Sequence, residues 1–540
     1  MIFCLEGSKI PNLINDIFKL LAMAEKMVKN AAGREVVTEI NGQPAIPFKG
    51  VGKYKPGGRK HAPAIASCAD YPGDGDKRIS SIKEALIRAG IRDGMTISTH
   101  HHFRNGDMLA NMLFDAVNEL GVKDIRWFPS ASFPCHEHLI QYLDDGTIHH
   151  IEGSMNGPLG SYVSEGNMKG MAVLRSHGGR YQAVQDGEVK IDIAVIGAPM
   201  ADPFGNANGL EGDSACGLLG FALADSQYAD RGIVVTDNMV PFPCIPWQIQ
   251  GNYVDFTVEV PKLGIPEQIV SGTTRITKSP DRLLLAEMTA RFCDAAGILK
   301  DGFSFQSGAG GTSLAVGEFF KDIMKKKGIK ARFARGGSNK YLVSMLEEGL
   351  LDYILDGQTF DLDGVRSMRE NPRHVWTSPF TSYNYHGKGN FAPLVDVAIL
   401  GATEVDVNFN ANVVTHSDGY LLHGIGGWQN CLFSKTVILP LPLVRDRVPV
   451  IIDRVTTLCG PGELIDVIVT ERGIAINPLR KDLLEAVKDS GLPVKKIAEL
   501  KEEAESICGR PENISYGEKV IAAIKWVDGT VIDVVRKVNV

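Results

Sequence analysis

Two kinds of apolar pattern alternate along this chain. Ile191–Ala198 (IDIAVIGA) and Val395–Ala402 (VDVAILGA) are nearly continuous runs of β-branched and apolar residues. That is the pattern of strands buried on both faces of a parallel sheet. Other segments carry helical spacing. After the short strand at 95–99 (MTIST), Met108, Leu109, Met112, Leu113, Ala116, Val117 and Leu120 fall on one stripe. Asp107 stands where it caps the first turn of that helix. A second strand at 303–306 (FSFQ) is likewise followed by a glycine-bearing loop and a helix. The pattern predicts an α/β chain with open, mostly parallel sheets.

The pattern also repeats. The segment from Gly90 (GIRDGMTISTHHHFRNGD) lies over the segment from Gly297 (GILKDGFSFQSGAGGTS), so that Asp93-Gly94 falls on Asp301-Gly302 and Gly121 on Gly328. Leu139–Gly146 lies over Leu342–Gly349. Further on, Asp192/Asp396, Gly197/Gly401, Asp202/Asp406, Asn206/Asn410 and Asn208/Asn412 are identical pairs. Four segments in the same order mark a tandem duplication of one supersecondary unit. The expected domains are a first α/β unit over 28–288 and a second over 289–540, behind an N-terminal extension over 1–27. That extension reads as a peripheral amphipathic helix, because Glu6, Lys9, Asp16 and Lys19 interrupt any signal-peptide core.

Composition narrows the class. A chain of 540 residues exceeds what one core normally organises. The net charge of −7 argues against a nucleic-acid or anionic-membrane partner. Nine scattered cysteines without a CxxC pair read as reduced thiols of a cytoplasmic protein.

Ligands of parallel sheets sit beyond the carboxyl ends of strands, and two loops leave such ends. In the second copy, Gln306, Ser307, Gly308, Ala309, Gly310 and Gly311 form a backbone cradle open to an anion or a tight turn. The spacing is neither that of a dinucleotide fingerprint nor of a P-loop. In the first copy His100, His101 and His102 stand where Gly308 to Gly310 stand, followed by Arg104 and Asn105. Three readings stay open for that loop: a metal site, a lining for carboxylates led by the Arg104 fork, or histidines satisfied by the fold. Consecutive residues point alternately apart, which weighs against a metal. A further cluster, Gly424, Gly426 and Gly427 in HGIGGWQN, offers amides for an oxyanion or simply a turn. The basic run Lys325, Lys326, Lys327, Lys330 and Arg332 reads as cations favoured at a helix C-terminus.

Longer motifs carry a family resemblance over nearly the whole chain after about residue 28. NAAGREV, KGVGKYKP, IASCADYPGDG, HHHFRNGD, EGSMNGP, LRSHGGR, VSGTTRITKSP, KDGFSFQSGAGG, GATEVDV, DRVTT and PGELIDVIVTERGIAINP resemble the alpha subunit of citrate lyase, of the CoA-transferase superfamily. The resemblance implies two tandem α/β domains and exchange of acetate for citrate on an acyl-carrier thiol, giving a citryl thioester. It implies a cytoplasmic hetero-oligomer with a lyase beta subunit and an acyl-carrier gamma subunit. The carrier's prosthetic group derives from dephospho-CoA, with acetyl-CoA as an analogue. It implies neither a metal nor a tightly bound cofactor on this chain, since magnesium belongs to the beta subunit's chemistry.

The expected site therefore lies between the two copies, lined by the loops 99–107, 307–312 and 424–428. Gly424, Gly426 and Gly427 would stabilise the oxyanion, 306–311 would hold the carrier's arm, and His100, His101, His102, Arg104 and Asn105 would hold citrate. Covalent members of the superfamily carry a nucleophilic glutamate after the strand–loop–helix, but Arg335–Met345 (RGGSNKYLVSM) contains no carboxylate. Glu404 in GATEVDV is the remaining candidate for that role, although its first-copy counterpart is Met200 and a structural glutamate is the plainer reading. A citramalate lyase alpha subunit, or another acyl-CoA:carboxylate transferase or hydrolase, remains the alternative.

Overall fold

A computed structural model describes residues 27–56, 71–269, 275–308, 310–377 and 390–539. The expected N-terminal helix falls outside these residues. Two large sheets organise the chain. The first orders its strands Arg78–Ile79, Phe256–Glu259, Arg231–Thr236, Ile193–Gly197, Thr96–Thr99, Ile125–Pro129 and Ile148–Ile151, all parallel. The second runs His374–Trp376, Leu351–Thr359, Ala331–Ser338, Phe303–Ser307, Val397–Ile399, Val437–Pro440, Val467–Thr470 and Gly473–Ile476, with only its last pair antiparallel.

Repeated residues do repeated structural work. Asp192 accepts from the Thr96 N–H at 2.8 Å, tying two adjacent strands, and Asp396 does the same for Ser304 at 2.8 Å. Asp93 accepts from the Lys123 N–H at 2.8 Å, and Asp301 from Lys330 at 3.0 Å. Asn206 and Asn410 each accept a distant backbone N–H at 2.9 Å, from Gly251 and Gly462. Each carboxylate or amide satisfies backbone donors that the strand ends leave open, which accounts for the same residue type at both positions.

The two large sheets fall on either side of residue 288, but smaller elements cross it. Ala172–Leu174 pairs in parallel with Tyr516–Lys525, which pairs antiparallel with Val531–Val538. Asn30 donates to the carbonyls of Val531 (3.1 Å) and Ile532 (2.8 Å), strapping the N-terminal strands onto this C-terminal hairpin. One core joins Ile97 and Trp127 with Leu439, Ile468 and Trp526. A second core lies in the 303–476 sheet, where the rings of Phe303, Phe305 and Phe320 pack at 5.7–6.1 Å between centres. Burying each such ring contributes roughly 1.5–3 kcal/mol.

The helix predicted after 107 is Leu109–Glu119, and Asp107 accepts from the Leu109 and Ala110 N–H groups, both at 3.2 Å. Lys325 to Lys327 close the helix Gly311–Lys327, before Gly328 at φ +66°. Among the described residues, no helix is long and apolar enough to cross a membrane.

Candidate active site

The strand Phe303–Ser307 leads through Gly308 to the helix Gly311–Lys327, whose N-cap is Gly310. Ser307 Oγ donates to the Ser313 carbonyl at 3.1 Å, folding the loop onto the first helical turn. The aligned dipoles of this helix favour an anion at that turn. A Cβ on Gly311 would lie 2.9 Å from the Arg275 carbonyl, so a side chain there would push the loop open. The adjacent strand Ala331–Ser338 ends with Arg335, Gly336 and Gly337. A Cβ on Gly337 would fall 1.6 Å from the Phe360 ring.

The opposite wall is the segment before the helix Trp428–Cys431. Gly424 is pressed against Ser154, and the Gly426 carbonyl accepts from the His177 N–H at 2.8 Å. Both contacts come from the first half of the chain.

Between these walls lies a cavity of about 600 Å³. Gln306, Ser307, Gly308, Gly310, Gly311, Gly424, Gly426 and Gly427 all line it, as expected from sequence. Ala309 lies outside the described residues. Arg282, Arg335, Arg445, His177 and His423 line it too, and among the described residues no aspartate or glutamate does.

Arg335 is 2% exposed and lines the cavity. Its charge partly offsets the burial that pushes the Cys431 thiol up. Arg445 donates to the carbonyls of Thr403 (3.0 Å) and Ala402 (3.1 Å). His423 donates from Nδ1 to the Gly424 carbonyl at 2.6 Å, and burial keeps it below the ordinary histidine range. Burial, helped by the nearby charge of Arg180, brings His177 down to about 3. Both imidazoles are therefore neutral at physiological pH.

The histidine loop is elsewhere. None of His100, His101, His102, Arg104 or Asn105 lines the cavity. His100 donates from Nε2 to Asp225 at 2.8 Å, and Asp225 is held by both terminal nitrogens of Arg180. His101 bonds Ser130 and Gln358, and its ring lies 5.5 Å from that of His177. His102 donates from Nε2 to the Gly197 carbonyl at 2.9 Å. Burial brings His102 down to about 4 and His101 well below its ordinary value, so neither is a cation for a carboxylate.

Arg104, at φ +53°, lies over the ring of Phe360, a residue that does line the cavity. Asn105 bonds Gln268 and the Cys135 N–H. The residues 100–105, expected to hold citrate, thus lie outside the described lining of this cavity. His100 and His101 instead pack against the helices His177–Asp186 and Ala222–Tyr228, through Asp225 and the His177 ring. Of the residues before 289, His177 and Arg282 belong to the described lining.

Glu404 is 2% exposed and also lies outside the cavity. It accepts from Asn412 Nδ2 and the Thr456 N–H, while burial raises its pKa. Its place is that of a structural acceptor. Among the described residues, no three His, Cys, Asp or Glu side chains converge as metal ligands.

Sequence reasoning missed Arg335, Arg282, Arg445 and His177. Arg335 carried a usable signal, since it precedes two glycines at a strand's carboxyl end. In register it pairs with Gln306, as Phe128 pairs with Ser98 in the first copy.

Residues 75–538 match the family model of citrate lyase, alpha subunit (CitF). The chain is 38% identical over 512 residues to the citrate lyase alpha chain of Klebsiella pneumoniae, covering 94% of this chain and 99% of that one. It is 40% identical over 465 residues to the alpha chain of Haemophilus influenzae, covering 86% and 93%. A citrate lyase alpha-subunit structure from Streptococcus mutans, in complex with citrate, superposes with a TM-score of 0.89 at 42% identity, covering 95% of this chain and 100% of that one. The alpha subunit of malonate decarboxylase from Acinetobacter baumannii shares the fold, with a TM-score of 0.57 at 15% identity over 82% of this chain and 94% of that one. The chain belongs to the family of citrate lyase alpha subunits.

Proposed function

We propose that this chain is the transferase component of citrate lyase, exchanging the acetyl group of a carrier thioester for a citryl group and releasing acetate. The observation that carries the reading is a cavity walled by two glycine loops and three arginines, with no described carboxylate in its lining. Such a wall suits a polyanionic acid beside a carbonyl that becomes an oxyanion. Citrate in the Streptococcus mutans relative supports the choice of acid.

In this reading a carboxylate oxygen of citrate attacks the thioester carbonyl carbon, the C–S bond breaks and the thiolate leaves. The mixed citric–acetic anhydride is then attacked at its citryl carbonyl by the same thiolate, and acetate departs. Arg335 holds a citrate carboxylate. Backbone amides of the loops 307–311 and 424–427 receive the oxyanion, each donor contributing about 10²–10³ in rate. The remainder comes from holding both reactants together. No protein carboxylate enters, and Glu404 stays out of the reaction.

The thiol belongs to a dephospho-CoA-derived prosthetic group on a separate acyl-carrier subunit, and the citryl thioester passes to a lyase subunit of the same complex. The test is initial-velocity kinetics of the purified chain with citrate and acetyl-CoA as the carrier analogue. Citryl-CoA and acetate should appear with intersecting reciprocal lines. Parallel lines, or acetyl-CoA hydrolysis without citrate, would contradict it.

A further inference from the structure

The cavity's three arginines differ in burial and in the elements that carry them. Arg335 is buried beside the first glycine loop, pairing in register with Gln306, whereas Arg282 and Arg445 line the same cavity half-buried, from other elements. Arg282 stands in the first turn of the helix Pro280–Ala295 and, among the described residues, makes no hydrogen bond or ion pair. Arg445 belongs to the hairpin Val444–Arg445/Val448–Pro449 and is fixed by the two carbonyls it bonds. The carboxylates felt by Arg445 are Asp446 and Glu404, and neither lines the cavity. Two guanidiniums lining one cavity, with the charge of Arg282 felt at Arg445, repel each other, and an anion placed between them removes that cost.

We infer that Arg282 and Arg445 form a phosphate-reading pair for the thioester donor, separate from Arg335, which reads the acid. The inference rests on the transferase reading above. A phosphopantetheine thioester carries its reacting carbonyl at one end of a long arm and its phosphate at the other. With the carbonyl on the glycine loops, the phosphate at the far end of the arm is left for the half-buried arginines of the lining, Arg282 and Arg445. Citrate is small and must lie beside the carbonyl, and Arg335 adjoins the first glycine loop through its pairing with Gln306. A guanidinium fork matches phosphate oxygens bidentately, and Arg445 is already oriented by its backbone anchors.

The test compares three donors with citrate: acetyl-CoA, acetyl-dephospho-CoA and acetyl-pantetheine, which lacks phosphate. The readout is kcat/KM for acetyl-dephospho-CoA divided by that for acetyl-pantetheine. Arg282→Gln should lower this ratio about tenfold or more, the scale of a lost charge-assisted hydrogen bond. Arg445→Lys, which keeps the charge and loses the fork, should lower it less, and the citrate KM should move less than the donor KM in both. An unchanged ratio in both variants, or a citrate KM rising by the same factor as the donor KM, overturns the pair. If the unaltered chain exchanges citrate with none of the donors, the transferase reading falls and the pair falls with it.

Discussion

Arg104 lies over Phe360, with its guanidinium carbon 4.2 Å from the ring centre. Phe360 in turn forms part of the cavity wall that the Gly337 backbone touches. The arginine of the histidine loop thus meets a ring of the second half and is not itself in the cavity lining. Burial brings Arg104 down to about 10, against the pull of Asp361 and Asp356.

Arg104→Ala should therefore read as a stability variant. A desolvated cation–π contact contributes about 2 kcal/mol, and its loss should lower the denaturant midpoint accordingly. The citrate KM should rise no more than the thioester KM. A selective rise for citrate would return Arg104 to the acid site.

Arg335→Gln should do the opposite. Losing a charge-assisted bond of about 1.5–3 kcal/mol raises the citrate KM roughly 10- to 150-fold, with a smaller effect on the thioester. Steady-state kinetics at fixed thioester concentration measures it. Equal losses for both substrates would remove Arg335 from acid recognition.

Acid should destabilise the fold through its buried histidines. His102 titrates near 6.5 when unfolded but is brought down to about 4 by burial and by His100. Below pH 6.5 the unfolded chain binds the extra proton, so stability falls as pH drops from 6.5 and the loss levels off below about 4. At about 1.4 kcal/mol per pKa unit, His102 alone accounts for about 3 kcal/mol. In thermal melts, His102→Gln should be less stable than the parent at pH 7.5, yet lose less between pH 6.5 and 4. An identical pH slope would refute the assignment.

Glu404→Gln should keep kcat within about threefold, because the amide oxygen can still accept from Asn412 and Thr456 as the carboxylate does. A loss on the scale of a missing nucleophile would move Glu404 into the chemistry.

The α/β pattern and the duplication were legible because parallel strands and a repeated unit leave marks in a linear sequence. Asp192 and Asp396, far apart in the chain, already announced the same strand-pairing task. The glycine loops at 306–311 and 424–427 were legible for a similar reason, since a close backbone approach leaves glycine behind. The histidine loop misled because its position in the repeat places it at a strand end without saying whether that end is open. Tertiary packing decides this: His100 meets Asp225, and the Gln358 side chain lies between His101 and the cavity. Arg445 gave no local signal, because it reaches the cavity from a two-stranded hairpin set by distant pairing.

The central claim is that citrate itself attacks the thioester, with no acyl intermediate on the protein. Citrate labelled with ¹⁸O in its carboxylates, in a single turnover with acetyl thioester and this chain in excess, tests it directly. The oxygen that bridges the anhydride leaves with the acetyl group, so the account predicts one ¹⁸O in the acetate of the first turnover. Unlabelled acetate in that turnover, with label appearing in a glutamate or aspartate of the chain, would contradict it.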